Sequence, residues 1–247
     1  MILGKEAMAK LSNAKVAVFG IGGVGGYAVE ALARSGVGHI DLYDNDRICL
    51  TNLNRQIHTT RKNIGEYKVD AAKERILDIN PDAVVNAYKL FYTPSTSGQA
   101  DLSQYDYIID AIDTVSGKIE LAVKANESGI PIISSMSAGN KLETTSFEVA
   151  DLFAASVCPL AKIMRRELRK RGIPKLKVVY SKEPPAQPKE DAISSRDLTC
   201  DCQACAESEK TQRRSTPGST AFVPPIVGFI IAGEVIKDIT SIQCQQG

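Results

Sequence analysis

The chain is poor in the residues that mark several classes of protein. Its 247 residues include no tryptophan, two histidines and six cysteines. Six cysteines are too few for a disulfide-stapled scaffold, so a reducing cytoplasm is the expected environment. The longest apolar run, residues 221–233, contains two prolines and is shorter than the ~20 residues that a membrane span needs. No basic segment followed by an apolar one opens the chain, and we expect neither export nor membrane insertion.

The sequence also lacks a strong net charge, but its charges are unevenly distributed. Hydrophobic residues make up 43% and charged residues 24%, a composition that excludes collagen, coiled coils and intrinsic disorder. Residues 151–215 carry 14 basic and 9 acidic side chains, whereas the remainder carries 16 basic and 20 acidic ones. A polyanionic partner is therefore expected to contact the C-terminal half.

Apolar runs and helical spacing alternate along the first 140 residues. Residues 15–19 predict a strand, 23–35 a helix after a glycine-rich turn, and 39–43 a second strand. The pattern continues with a helix over 67–80, a strand over 83–89, a strand over 107–110, a helix over 115–128 and a strand over 131–135. This alternation indicates an α/β protein with a Rossmann-like, doubly wound and mainly parallel sheet.

The pattern changes beyond residue 140. We predict an antiparallel strand over 145–149, a basic helix over 160–171, a strand over 176–180, a long loop over 182–220 and an apolar helix over 221–238. We therefore divide the chain into a nucleotide-binding core, residues 1–140, and a C-terminal mixed extension, residues 141–247, that packs with the core as one unit.

The glycine-rich turn predicts a nucleotide site. Gly20, Gly22 and Gly25 fit the pattern G-x-G-x-x-G between a strand and a helix, and Gly23 lies inside it. Backbone amides at the start of a helix can hold phosphates, and Asp44, at the end of the second strand, is placed to bind ribose hydroxyls. The alternative interpretation is tight packing of the helix on the strand, which also requires glycine.

Polar residues after the second strand favour a triphosphate over a dinucleotide. Asn52, Arg55 and Gln56 lie in an irregular segment, and Lys68 begins the next helix, so these groups could contact the phosphates of ATP. Asp113 follows a buried strand at the carboxyl edge of the sheet, where it could hold magnesium. The alternative is that the cations are solvated and that Asp113 is the N-cap of the helix beginning at residue 115.

Together these motifs resemble those of a known family. They are GIGGVGG at 20–26, the acidic pair Asp44 and Asp46, TNLNRQIH at 51–58, Lys68, and DAID at 110–113. They resemble the ATP-dependent adenylating family that includes ubiquitin-activating enzymes and the bacterial ThiF and MoeB proteins. NRQIH, the VGxI strand followed by DxD, and VYSKE at 179–183 favour the branch that dehydrates threonylcarbamoyladenosine in tRNA.

The resemblance implies a site and its cofactors. The implied cofactors are ATP and magnesium, with Gly22 and Gly23 close to the nucleotide and Asp44 on its ribose. Asp113 is the implied magnesium and catalytic acid position. The residues implied to contact the phosphates are Asn52, Arg55 and Lys68.

The resemblance also implies a ligase-type reaction on tRNA. AMP is transferred from ATP to the threonyl carboxylate, pyrophosphate leaves, and the neighbouring ureido oxygen closes a five-membered ring with loss of AMP. The implied partners are tRNA, a second copy of the chain in a homodimer, and a sulfur-transfer protein. Relatives usually carry an arginine before a Leu-Gly pair that reaches a nucleotide across the dimer, and none precedes Leu3-Gly4 here.

A cationic segment is the candidate tRNA contact. Eight basic side chains and one acidic side chain lie within residues 162–177. Those assigned to tRNA are Arg165, Arg166, Arg169, Lys170 and Arg171. The alternative is a solvated helix face. No aromatic residue interleaves this helix, so base stacking there is not indicated.

The cysteine cluster leaves two interpretations. Relatives such as ThiF and MoeB hold zinc with two separated CxxC pairs, whereas Cys200, Cys202 and Cys205 form C-x-C-x-x-C. Zinc takes four ligands, so Cys158 or Cys244 would have to complete such a site. The alternative is a loop of free thiols.

Three other functions compete with tRNA dehydration. Adenylation of a small sulfur-carrier protein would use the same ATP site. An NAD-dependent oxidoreductase would explain the glycine turn and Asp44 but would leave Arg55, Lys68 and Asp113 without a role. The third is a non-catalytic nucleotide-sensing module.

Overall fold

The computed structural model describes residues 2–187 and 218–241, which form a seven-stranded sheet covered by helices on both faces. The strands are β1 Lys15–Phe19, β2 His39–Tyr43, β3 Val84–Tyr88, β4 Tyr107–Asp110, β5 Ile132–Ser135, β6 Phe147–Asp151 and β7 Lys177–Ser181. The helices are α1 Gly4–Asn13, α2 Gly25–Arg34, α3 Lys68–Ile79, α4 Val115–Glu127, α5 Pro159–Lys170 and α6 Val223–Thr240.

The sheet is parallel except at one edge. Its strand order is β3-β2-β1-β4-β5-β7-β6, and only the β6–β7 pair is antiparallel within the described ranges. The central strand β4 is buried along its whole length, and β1 is buried beyond its first residue. Strands that are apolar on both faces require helices on both faces, so the predicted α/β, doubly wound fold is confirmed.

Alternate residues of β1 divide the core between the two faces. Val16 and Val18 pack in a cluster built with α1, α2, α3 and α6. Ala17 and Phe19 pack in a second cluster that includes Leu121 of α4. A third cluster, against α4 and β7, buries Met164 and the rest of the apolar face of α5. The helices packed on the two faces therefore hold the ends of the strands in fixed positions.

Most element boundaries agree with the sequence pattern. The predicted strands over 15–19, 39–43 and 107–110 are confirmed residue for residue. The antiparallel strand begins later than predicted, at Phe147, because Thr144–Ser146 form a short turn. Helix α1 was not predicted, and its buried residues are Ala7 and Leu11 alone, a weak signal four residues apart.

The carboxyl ends of the parallel strands meet at one edge. Phe19, Tyr43, Asp110 and Ser135 end β1, β2, β4 and β5 and lie side by side in register or nearly so. The segments that follow these four strands therefore converge, as ligand-binding segments do in open α/β sheets. None of the helices in the described ranges is long and apolar enough to cross a membrane.

Helix α6 approaches α2 closely at a glycine. A Cβ atom added to Gly228 would lie 2.5 Å from the carbonyl oxygen of Val24 and 2.8 Å from Cβ of Tyr27. Such distances are below van der Waals contact, so any side chain here must displace the backbone of α2. Gly233, later in the same helix, has no atom within 4 Å of the corresponding position.

We expect Gly228→Ala to destabilise the fold by about 1–3 kcal/mol, because overpacking forces backbone shifts. Gly233→Ala is the matched control and should be neutral or up to about 1 kcal/mol stabilising, because alanine favours helix. The free energies of unfolding in urea measure both. Equal effects of the two substitutions would rule out the close approach of α6 to α2.

Candidate active site

The glycine turn has two closed positions, Gly20 and Gly25, a tight one at Gly23, where a Cβ would lie 3.1 Å from Cβ of Pro224, and an open one at Gly22. Gly20 has a φ of +89°, and a Cβ there would lie 2.5 Å from the carbonyl oxygen of Ala111. A Cβ at Gly25 would lie 1.9 Å from the carbonyl oxygen of Gly20. At Gly22 the nearest atom would be 3.9 Å away. The packing interpretation therefore holds for Gly20 and Gly25, while Gly22 leaves backbone open to a ligand.

Asp44 fastens this turn to the end of β2. Its two carboxylate oxygens accept hydrogen bonds from the backbone amides of Ile21, at 2.7 Å, and Asp46, at 2.8 Å. Burial raises the pKa of Asp44, and the nearby ammonium group of Lys68 opposes that shift. The acid predicted to bind ribose thus also positions the start of the glycine turn, and a ribose hydroxyl would have to bond to carboxylate oxygens that each already accept one hydrogen bond.

Lys68, the first residue of α3, brings the acidic residues of the site together. Its side chain is buried, and Nζ donates to Oδ2 of Asp46 at 2.6 Å. Burial alone would lower the pKa of Lys68, but the carboxylates of Asp44, Asp46 and Asp113 outweigh it and raise the pKa. Lys68 is therefore charged, and Asp113 lies close enough to act on it.

A cation–aromatic stack holds the residue before Lys68. The guanidinium carbon of Arg47 lies 3.8 Å from the ring centroid of Tyr67, and Nζ of Lys89 lies 4.5 Å from it. These contacts fix the entry into α3 and hence the position of Lys68. Nothing in the local sequence signals them, because Lys89 follows β3 and is distant in the chain.

The segment carrying Asn52, Arg55 and Gln56 is a hydrogen-bonded turn. Asn52 is buried, and its Oδ1 accepts from the backbone amide of Cys49 at 3.0 Å, so part of its polar capacity serves the turn instead of phosphates. Arg55 is half-buried and donates to the carbonyl oxygen of Thr51 at 2.9 Å. Gln56 is buried, and its Oε1 has no hydrogen-bond partner within the described residues, which leaves it for a ligand or water.

Asp113 is not the N-cap of α4. The N-cap residue is Thr114, whose side chain makes no capping hydrogen bond, so the capping alternative for Asp113 is wrong. Asp113 is exposed in the bend after β4. Oγ1 of Thr114 is buried without a partner in the part of the chain that the structure describes. Asp113 and Thr114 thus place two oxygen-bearing side chains in the bend that follows β4, and the charge of Asp113 acts on Lys68.

A buried ion pair lies beneath this bend. Nζ of Lys118, which is 2% exposed, donates to Oδ2 of Asp110 at 3.1 Å and to the carbonyl oxygen of Ser135 at 2.7 Å. Asp110 also accepts from Oγ of Ser134 at 2.5 Å and from the backbone amide of Ile112 at 3.1 Å. The pair joins the ends of β4 and β5 to α4. Lys118 was not predicted from the sequence. The available signal was its position, eight residues after Asp110, which is the last residue of β4.

The basic helix α5 divides its cations between two tasks. Arg165 is half-buried and donates to the carbonyl oxygens of Leu152 and Ala155. Arg171 donates to the carbonyl and the carboxylate of Glu167. Hydrogen bonds from Arg171, Lys170 and Arg166 lower the pKa of Glu167 to about 2. The exposed cations of α5 are Lys162, Arg166, Arg169 and Lys170.

His58 and the cysteines take no part in the site as described. His58 is buried, and burial together with the charges of Lys68 and Arg75 lowers its pKa to about 3, so the ring is neutral. Cys49 and Cys158 are buried and form no disulfide within the described residues. Cys200, Cys202, Cys205 and Cys244 lie outside the described residues, and the zinc site stays a prediction.

The chain is similar over nearly its whole length to known proteins of one family. The family model described as "ThiF family" matches residues 1–246. The tRNA threonylcarbamoyladenosine dehydratase of Bacillus subtilis (strain 168) is 43% identical over 240 residues, which cover 97% of this chain and 92% of that protein. The crystal structure of the Escherichia coli tRNA N6-threonylcarbamoyladenosine dehydratase with AMP superposes with a TM-score of 0.83 at 32% identity, covering 97% of this chain and 91% of the other. Its ATP complex gives 0.82 at 31% identity, covering 100% and 93%.

We expect Lys118→Met to destabilise the protein by about 3–5 kcal/mol, because it leaves the carboxylate of Asp110 buried and unpaired. Adding Asp110→Asn to this variant should restore part of the loss. Lys124→Met, on the exposed face of the same helix, is the control and should leave the free energy of unfolding unchanged. A Lys118→Met protein as stable as the control would show that the pair does not hold the strand ends.

Proposed function

The chain belongs to the ThiF family, and on that premise we propose that it is an ATP-dependent enzyme that dehydrates threonylcarbamoyladenosine in tRNA to the cyclic form. The observation that carries this proposal is the meeting of the open glycine turn, Lys68 and Asp113 at one edge of the sheet, in a chain that matches dehydratases over nearly its whole length. The exposed cations of α5 supply the second requirement, a surface for a polyanion.

The ATP phosphates are proposed to lie over Gly22 and Gly23. Backbone amides at the start of α2 and the positive end of its dipole favour phosphate oxygens there. A Cβ at Gly23 would lie 3.1 Å from Cβ of Pro224 and 3.4 Å from Cγ of Arg55, so the arginine packs against the turn. Lys68 adds a second charge, provided that it exchanges Asp46 for a phosphate.

Magnesium fits this edge as an ion shared with the phosphates. Within residues 2–187 and 218–241, no three acidic, cysteine or histidine side chains are arranged so that they could hold a metal ion, because the carboxylates of Asp44, Asp46 and Asp113 lie around the ammonium group of Lys68 instead. Magnesium commonly takes one or two carboxylates together with phosphate oxygens and waters. The exposed carboxylate of Asp113, beside the unpartnered hydroxyl of Thr114, meets that need. When bound, the ion would neutralise phosphate charge.

The proposed reaction has two steps. An oxygen of the threonyl carboxylate attacks the α-phosphorus of ATP and pyrophosphate leaves, while Arg55 and Lys68 stabilise the charge on the phosphates. In the resulting mixed anhydride, the leaving group on the carboxyl carbon is AMP. In the free carboxylate it would be oxide, which is a poor leaving group. The neighbouring ureido group then attacks the activated carbon, loses a proton and releases AMP. Because the nucleophile belongs to the substrate, the enzyme needs no thioester.

The tRNA is proposed to lie along the exposed face of α5. The proposed contacts are Lys162, Arg166, Arg169 and Lys170. Arg165 and Arg171, also predicted from the sequence, are better explained as supports for the helix, because both donate to backbone carbonyls.

To test the reaction, the protein is incubated with ATP, magnesium and tRNA carrying threonylcarbamoyladenosine. We expect AMP and pyrophosphate in equal amounts and a nucleoside lighter by one water in its mass spectrum. Asp113→Asn should melt at the same temperature yet lose activity by about 100-fold or more. Asp82→Asn, an exposed aspartate in the turn before β3, is the matched control and should keep activity.

Two outcomes of that experiment would contradict the proposal. ATP turnover that needs a sulfur-carrier protein and ignores modified tRNA would favour carrier adenylation. Binding of NAD as tight as that of ATP, with no AMP formed, would favour an oxidoreductase. An Asp113→Asn protein that stays fully active would remove the aspartate from the mechanism while leaving the reaction intact.

We also propose a homodimer formed through α6 and α2. Phe222, the residue before α6, and Phe229 within it are 50% and 46% exposed, and Phe229 contacts Tyr27 of α2 at 5.6 Å between ring centroids. Exposed aromatic residues on packed helices are typical of interfaces.

Sedimentation equilibrium should give twice the chain mass, and Phe229→Ser should shift the protein to monomer. A monomeric parent protein would contradict the proposal. The sulfur-transfer partner stays a prediction.

A further inference from the structure

Phe153 lies beside the cationic face of α5, although no aromatic residue lies in the helix itself. The guanidinium carbon of Arg169 is 5.5 Å from the centroid of the Phe153 ring. We propose that Arg169, supported by Phe153, is a stacking site for an unpaired RNA base. The inference rests on the proposed function, since its ligand is the single-stranded loop of a tRNA.

The turn that carries Phe153 is held in a defined shape. Oδ1 of Asp151 accepts from the backbone amide of Phe153 at 2.8 Å, and Oδ2 accepts from that of Leu176 at 3.1 Å. Leu152 and Ala155 on either side are buried, whereas Phe153 is half-buried. The backbone therefore presents one aromatic ring at the surface of a rigid turn.

Arg165 joins this turn to α5. Its Nη1 donates to the carbonyl oxygens of Leu152, at 3.2 Å, and Ala155, at 2.5 Å. Arg169 lies one helical turn further on and so falls beside the Phe153 ring. Arg165 and Arg169 thus have different tasks: the first fixes the turn to the helix, and the second covers the ring that the turn presents.

The charge of Arg169 is not neutralised by any carboxylate of the described residues. Within the described residues, Arg166, Lys170 and Arg171 pair with Glu167, whereas Arg169 has no carboxylate partner. Arg169 lines an open groove of about 440 Å³ together with Lys162, Arg165, Arg166 and Lys170. A loop of RNA in this groove would place phosphates against the other cations and a base within reach of Arg169.

A planar guanidinium suits a base better than an ammonium group does. Unpaired bases stack on aromatic rings and on arginine planes, and arginine also gains from a ring on its other side. Stacking accepts any base, so it adds affinity for single strands over duplexes without adding sequence preference. The groove therefore combines a phosphate-binding row with one position that distinguishes a loop from a duplex stem.

The test compares an anticodon stem-loop RNA with a duplex of the stem sequence, both measured by fluorescence anisotropy. Phe153→Leu and Arg169→Lys should weaken stem-loop binding by about 5- to 100-fold, the loss of one base stack. Both should leave duplex binding and the slope of log affinity against log salt unchanged. Arg171→Lys, on the same helix but bonded to Glu167, is the matched control and should change neither. A 2-aminopurine in the loop should be quenched by the parent protein and not by Arg169→Lys.

Several results would overturn the inference. Equal losses for duplex and loop would show that Arg169 contacts phosphate only. Unchanged 2-aminopurine quenching in both Phe153→Leu and Arg169→Lys would show that no base stacks there. The melting temperature of each variant is the control for unfolding. If a variant melts at the same temperature as the parent protein, its weaker RNA binding is not caused by unfolding. If the parent protein binds and converts modified tRNA while the variants behave like it, the stacking site fails and the proposed function stands.

Discussion

The site depends on the absence of side chains where β1 turns into α2. A Cβ atom at Gly25 would fall 1.9 Å from the carbonyl oxygen of Gly20, and one at Gly20 would fall 2.5 Å from Ala111. Only bare backbone lets these three segments meet, and Asp44 then fixes the turn through the amide of Ile21. The open backbone at the start of the helix is a consequence of that packing.

Charge balance follows from the same convergence. Three carboxylates surround Lys68, so its buried ammonium group remains charged, and Asp46 holds it at 2.6 Å. Arg55 is held by the carbonyl oxygen of Thr51. The cations that would stabilise phosphates are therefore already oriented by the protein. Under the proposed function, binding of ATP would exchange the Asp46–Lys68 pair for a phosphate–Lys68 pair.

The sequence predicted what depends on local pattern and missed what depends on tertiary contact. Short apolar runs located β1, β2 and β4 to the residue, because strands that are buried on both faces consist mostly of apolar residues. Residue spacing also singled out Lys68 and Asp113, which the fold brings close together, and their roles stay predictions. It could not show that Asp113 is not an N-cap, since neighbouring Thr114 suits that role equally well. Nor could it show that Lys118 pairs with Asp110, or that Phe153 lies under Arg169, because folding alone creates those contacts.

The central claim is that a substrate carboxylate is adenylated at the glycine turn. Labelling the threonyl carboxylate of the modified tRNA with oxygen-18 tests it directly, because the oxygen that attacks phosphorus stays with that phosphorus when the ring closes. Mass spectrometry of the released nucleotide should find the label in AMP and none in pyrophosphate. Label in inorganic phosphate or pyrophosphate, or AMP that carries no label, would contradict attack at the α-phosphorus.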